Sequence, residues 1–257
     1  MLLPDAANSA IKNGRVGPVN MMSSASSPQS FTPLSLLDGS DFGFMLDVFD
    51  SEIARDENGL VTKWFDQSAH QFNFIQNTVA QRPLFESVNG ISMIRANQGR
   101  LVAEKNHPSI GDNPGYLAMF CRVGIPSVAN GGMVMLGTGT TSGTGQRALM
   151  TMANSQTRAD LRANGITSND APLASEQFNL YESRFGNASL GISHNGNVWR
   201  TRTAPSATTP ESGAQMFWGL TGVPAAVDCV AAIYVSRHIT DDERINLLNY
   251  YRDKSGL

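Results

Sequence analysis

Beginning at about residue 40, short apolar runs alternate with clusters of Gly, Pro, Asn, Asp and Ser: FGFMLDVF, LVTKWFD, FNFIQ, ISMIRA, YLAMFCRV, MVMLG, ALMTMA, FNLYESRFG, LGISHNG, QMFWGL and CVAAIYVS. Runs of this length between turn residues read as strands, and so many at this spacing make a sandwich or a barrel. The chain's 24 Gly and 12 Pro supply the turns, and 257 residues with 41% hydrophobic composition suffice for one large core in one all-β domain. Asn195-Gly196, between LGISH and NVWRTRT, signals a hairpin because both central residues of a type I′ turn need positive φ. No internal repeat of solenoid or propeller period is visible.

The one long helix is expected at the end of the chain. Thr240 caps it and Glu243, three residues on, completes a capping box, while Asp241 and Asp242 suit the positive helix start. The helix runs to about Lys254, and Ile245, Leu248 and Tyr251, spaced by three, form the stripe that packs on the sandwich.

At the other end, residues 1–35 read as an extended arm and residues 36–257 as the sandwich domain. The arm starts with Leu2 and Leu3 and continues as VGPVNMMSSASSPQSFTP, whose Ser and Pro density resists packing into a private core. Val16, Val19, Met21 and Met22 nevertheless give it more apolar surface than a solubilising tail needs. These six apolar residues are the candidate assembly contacts, and either a neighbouring subunit or the arm's own domain would supply the surface that orders them.

Charge narrows the partners. A formal net charge of -3, 16% charged residues and no Lys/Arg run argue against nucleic acid, and Arg200 and Arg202 read as a solvated strand face. No stretch reaches the roughly 18 to 20 apolar residues of a membrane span. MLLPDAANSAIKNGR has neither a basic segment ahead of an apolar core nor a cleavage site, so classical secretion is not expected. Cys121 and Cys229 sit in apolar runs as small buried hydrophobes that could face each other on neighbouring strands.

Chemistry-bearing motifs are sparse. GGMVMLGTGTTSGTGQR has no Lys-Ser/Thr after its glycines and reads as a loop between strands rather than a phosphate cradle. His70, His107, His194 and His238 lack any two-ligand spacing, so no metal site is expected; Ca²⁺ is not indicated and no cofactor is implied. There is no GxSxG elbow, and no strand offers the two carboxylates, roughly 5 Å apart, that a retaining glycosidase needs. Glu52, Asp56 and Glu57 fall in a loop and Asp241, Asp242 and Glu243 in a helix start. Two aromatics remain as candidate sugar-stacking platforms, Trp199 beside the hairpin and Tyr116 near a strand start, although Trp64, Trp199 and Trp218 all occur in strand-like runs where tryptophan is usually buried.

The order of segments carries a resemblance. Trp64, Asp66 and Ser68 form a Trp-x-Asp-x-Ser turn, Arg82-Pro83 follows, and Asn89-Gly90 precedes the first full strand; FNLYESRFGNASLGISHNGNV then looks like a central hairpin and AAIYVSRHITDDERINLLNYYRDKSGL like a closing strand with its capping helix. Over residues 40–257 this resembles the laminin-G-like group of concanavalin A-like lectin/glucanase domains. Arg95-Ala96-Asn97 stands where that group usually has Phe-Asp-Gly, and the glucanase carboxylate signature is absent. The resemblance implies a two-sheet antiparallel jelly-roll sandwich that binds through its concave face or rim loops.

A compact β-domain with an arm and no leader leads to an expectation of function. The chain is expected to be a non-catalytic virion protein, decorating or cementing a bacteriophage capsid, made in the host cytoplasm and oligomeric, with its arm on capsid or other virion proteins. The alternative is a carbohydrate-binding lectin or receptor-binding fibre module whose partner is a glycan.

Overall fold

The computed structural model describes residues 31–96, 99–107, 114–124, 132–138, 148–155, 158–163, 166–168, 177–186, 189–203, 212–221 and 227–257. The arm residues Leu2, Leu3, Val16, Val19, Met21 and Met22 lie outside them, as do residues 139–147 of the Gly-rich segment.

The strands are β1 (Gly43–Asp47), β2 (Ile53–Arg55), β3 (Val61–Trp64), β4 (Phe74–Ile75), β5 (Leu84–Val88), β6 (Ile91–Ala96), β7 (Leu101–His107), β8 (Gly115–Val123) and β9 (Gly132–Thr138). There follow β10 (Ala148–Ser155), β11 (Arg158–Ala163), β12 (Ile166–Ser168), β13 (Asn179–Gly186), β14 (Ser189–His194), β15 (Arg200–Thr203), β16 (Ser212–Thr221) and β17 (Val227–Val235). One sheet runs β15-β14-β13-β8-β17-β6-β5, with β1 also paired to β17; the other runs β12-β11-β10-β9-β16-β7-β4-β3-β2. Adjacent strands are antiparallel throughout, and the chain is the all-β two-sheet sandwich with a closing helix that the strand rhythm predicts.

Pairing register separates the two faces of the first sheet. Phe44 opposite Tyr234, and Tyr234 opposite Leu117, point inward, where Phe44 packs on Phe74 of the second sheet at 5.3 Å between ring centroids. Met119, Cys121 and Cys229 share that face. The two cysteines are direct cross-strand partners and both are free, buried thiols; burial pushes each well above the usual thiol range.

The Trp-x-Asp-x-Ser turn proves to be a clasp. Asp66 accepts from the backbone N–H groups of Met45 (2.8 Å), Ser68 (2.9 Å) and Phe72 (2.8 Å) and from the Ser68 hydroxyl (2.5 Å), so one buried carboxylate ties β1 to the turn beyond β3. Trp64 is fully buried, its indole N–H directed at the Asp47 carbonyl. Arg82 binds Asp56 at 2.9 Å and the Gln76 carbonyl at 3.0 Å, while the Pro83 carbonyl accepts from Val61 N–H. These residues fix the first loops of the sandwich.

The helix α1 (Asp241–Ser255) has the expected capping box, with Thr240 accepting from Glu243 N–H and Glu243 accepting from Thr240 N–H, and ends at Gly256 with φ +68°. Its buried stripe differs from the expected one. Arg244, Leu247, Leu248, Tyr251 and Ser255 face the sheet, whereas Ile245 is 42% exposed. The reason is chemical: a buried carboxylate beneath the helix takes Arg244, and that choice rotates Ile245 outward.

Candidate functional site

The helix lies on the outer face of the first sheet, and register shows what it covers. Tyr116, Ala118, Phe120 and Arg122 of β8 share that face with Leu180, Glu182 and Arg184 of β13 and with Asp228 and Ala231 of β17. Three zones follow along β8, from the helix start to beyond its end.

The first zone is a polar lock. Glu182 is 0% exposed and Arg244 only 2%; Arg244 Nε and Nη2 donate to the two carboxylate oxygens at 2.8 and 3.1 Å, and Nη2 also reaches Ser193 Oγ and the Asn197 carbonyl. Tyr116, 0% exposed, donates its hydroxyl to Glu182 Oε1 at 2.9 Å. Burial, and after it the Glu182 charge, pushes the Tyr116 phenol well above its usual range. Burial works against the Arg244 charge, but the Glu182 partnership prevails and raises its affinity for a proton.

This zone decides the fate of both sequence candidates. Tyr116 is not a sugar platform: the helix covers its strand, and its ring contributes to the core. Trp199 is half-buried, with the guanidinium of Arg244 at 4.1 Å and that of Arg184 at 4.6 Å from its ring, so cations already occupy its π-system. The hairpin that carries it is wider than Asn195-Gly196 suggests. Asn195 (φ +50°) and Gly196 (φ +71°) do form the turn, but the ladder resumes only with Ile192 opposite Arg200, leaving Val198 90% exposed and Trp199 folded over the helix.

The second zone is an aromatic column. Phe120 stacks on Tyr251 of the helix at 5.5 Å and on Phe178 at 5.9 Å, filling the sheet's outer face where α1 ends.

The third zone is open. Beyond the last helical turn lies a cleft of about 690 Å³, within the roughly 300–1,000 Å³ of small-ligand sites. Its wall combines Asn89 and Ile91 of the β5–β6 hairpin, Arg122 at the end of β8, Gln177 to Asn179 at the start of β13, Asn195 of the next turn, and Arg252, Ser255, Gly256 and Leu257 at the end of α1. Asn89 and Gly90 have φ of +54° and +82°, and Val88 pairs with Ile91, a two-residue turn that sets Asn89 at the rim.

The cleft's polar groups are held in place. Arg122 donates through Nε (2.9 Å) and Nη2 (2.5 Å) to Asp228 Oδ2, and Arg95 Nε takes Asp228 Oδ1 at 2.7 Å. Burial pushes the Asp228 carboxyl up, but the two arginines outweigh it and hold it below the ordinary carboxylate range. Asn195 Nδ2 donates to Asn179 Oδ1 at 2.6 Å while its Oδ1 accepts from Leu180 N–H, and Asn179 Nδ2 donates to the Gln177 carbonyl. Arg122 lies over Phe178 at 5.2 Å. Fixed carboxamides and a guanidinium beside a partly apolar wall can bind a polyhydroxylated ring. Among the described residues no Asp or Glu side chain lines the cleft, and no group of three or more His, Cys, Asp or Glu is placed to hold a metal ion.

No protein-family model and no curated protein sequence matches the chain. Solved structures do. The binding domain of Paraclostridial Mosquitocidal Protein 1 superposes with a TM-score of 0.57 at 12% identity, over 81% of this chain and 52% of that one. The ligand-binding domain of botulinum neurotoxin serotype D, solved with N-acetylneuraminic acid, gives 0.57 at 6% identity over 85% and 53%. Trypanosoma rangeli sialidase, solved with the inhibitor DANA, gives 0.51 at 13% identity over 80% and 32%. The chain thus spans about half the length of the two binding domains and a third of the sialidase. At these identities the likeness is one of fold alone, an all-β sandwich.

Proposed function

We propose that this chain is a non-catalytic carbohydrate-binding module and that the cleft beyond α1 is its glycan site. The observation that carries the reading is the convergence there of Asn89, Asn179, Asn195 and Arg122 beside Phe178 and Ile91, on a fold also found in a structure solved with N-acetylneuraminic acid. The absence of a lining carboxylate side chain, among the described residues, favours binding over hydrolysis. A glycan array probed with the full chain is expected to give hits that Gln177→Ala combined with Asn179→Ala removes and Trp199→Ala retains. A blank array, or release of reducing sugar from the hits, counts against the reading.

Within a bacteriophage particle the same module would serve as a capsid-decorating or receptor-binding unit, with residues 1–35 as its assembly arm. The Ser/Pro-rich segment bearing Val16, Val19, Met21 and Met22 supports this part of the proposal. Deleting residues 1–30, which spares Phe31 and Pro33 on the sandwich core, is expected to abolish incorporation into particles while leaving the sandwich folded; unchanged occupancy contradicts it.

A further inference from the structure

We infer that the cleft selects saccharides bearing a carboxylate, an inference that rests on the glycan reading above. Two guanidinium groups enter the cleft wall in different states. Arg122 is clamped edge-on by Asp228 through Nε and Nη2, which leaves Nη1 without a partner among the described residues and fixed in direction. Arg252, in the last turn of α1, makes no side-chain hydrogen bond or ion pair among the described residues.

The charge balance assigns them separate tasks. Glu86, Arg95, Asp228 and Arg122 form a chain of ion pairs that is neutral overall, so Arg122 contributes a positioned donor rather than net charge. Among the lining side chains the excess positive charge is that of Arg252, which is larger than the partial negative charge, about half an elementary charge, at a helix C-terminus. Lys254, the other basic residue of that turn, is directed to Asp50 at 3.7 Å. A planar carboxylate on a sugar ring meets a fixed N–H from Arg122 and a free guanidinium from Arg252, while Asn179 and Asn195 take ring hydroxyls and Phe178 with Ile91 supplies apolar contact. The pre-paired Asp228 matters because an unclamped arginine would lose side-chain entropy on binding.

The test uses the full chain on a glycan array holding carboxylated, sulfated and neutral members, followed by titration calorimetry with a carboxylated hit and its methyl ester. Esterification and Arg252→Gln are each expected to weaken binding by about tenfold to a hundredfold, the range for one charge-assisted contact. Affinity for the carboxylated form falls as NaCl rises from roughly 0.05 to 0.5 M, because the Debye length shortens. Arg252 is partly exposed and its side chain makes no hydrogen bond or ion pair among the described residues, so the variant keeps its thermal midpoint. Neutral hits insensitive to Arg252→Gln overturn the inference and leave the glycan reading standing. A preference for sulfated over carboxylated glycans overturns it equally, and a blank array overturns both.

Discussion

Replacing Asp66 with Asn tests how the sandwich is fastened at its first loops. The side chain keeps its shape, and Oδ1 still accepts from Met45 and Ser68 N–H, but the amide nitrogen replaces Oδ2, which accepts from Phe72 N–H and the Ser68 hydroxyl. Phe72 N–H then faces another donor, and an unpaired buried donor costs about 1–3 kcal/mol. The two retained bonds lose their charge assistance, about 1 kcal/mol each. The serine hydroxyl can turn to the Gly43 carbonyl, already 3.2 Å away, and adds little. The sum is about 3–5 kcal/mol, which for a domain of this size lowers the thermal midpoint by roughly 10 °C. Urea unfolding followed by tryptophan fluorescence suits the question because Trp64 is fully buried next to the clasp. The denaturation midpoint should fall with the slope m unchanged. Asp38→Asn, at an exposed position, serves as the control and should stay within about 0.5 kcal/mol. A loss below about 1 kcal/mol for Asp66→Asn would refute the clasp.

Other perturbations have defined outcomes. Glu182→Gln strips Arg244 of its buried counter-ion and leaves it only the exposed Asp241, and should cost about 3–5 kcal/mol by chemical denaturation, whereas Glu182→Leu with Arg244→Leu should cost less than the single change. Asp47 is fully buried with no hydrogen bond to Oδ2 among the described residues, and burial raises its carboxyl above the usual value, with the Asp50 charge adding to the rise and the Asp50 and Phe49 backbone N–H groups and the Gln67 side chain opposing it. Its folded-state affinity for a proton exceeds the unfolded one, so the ionised group destabilises the fold at neutral pH and that penalty fades as pH falls through the folded value. Asp47→Asn should therefore raise the urea midpoint at pH 7, with the gain shrinking toward pH 4; a gain that grows on acidification contradicts the assignment. Gly99→Ala would set a Cβ 2.8 Å from Pro83 N and 2.9 Å from its Cα, both backbone atoms, and should cost about 1–3 kcal/mol in thermal unfolding.

Much of the architecture was legible in local sequence. Strand rhythm, the Thr240–Glu243 capping box and the positive φ of Asn195 and Gly196 each depend on neighbours within a few residues, and the structure has all three. What eluded the sequence depended on distant partners. YLAMFCRV is apolar on both faces because α1 covers one and the second sheet the other, so nothing in it marks Tyr116 as buried rather than displayed. Helical spacing put Ile245 in the core, since an arginine looks like a surface residue until its buried partner Glu182, 62 residues earlier, is known. The cleft draws on segments around residues 90, 122, 178, 195 and 252, each unremarkable alone; only register and the point where α1 stops bring them together. The Asn89-Gly90 turn was the nearest local signal, because it marks a rim.

Glycan binding at the cleft is most directly tested by mapping backbone amide shifts of the isotope-labelled full chain during titration with an array hit. A glycan seated in the cleft gives saturable shifts concentrated at Asn89, Ile91, Phe178, Asn179, Asn195 and Gly256, with little change around Trp199. Shifts centred on the 198–203 segment, or none at saturating glycan, would contradict it.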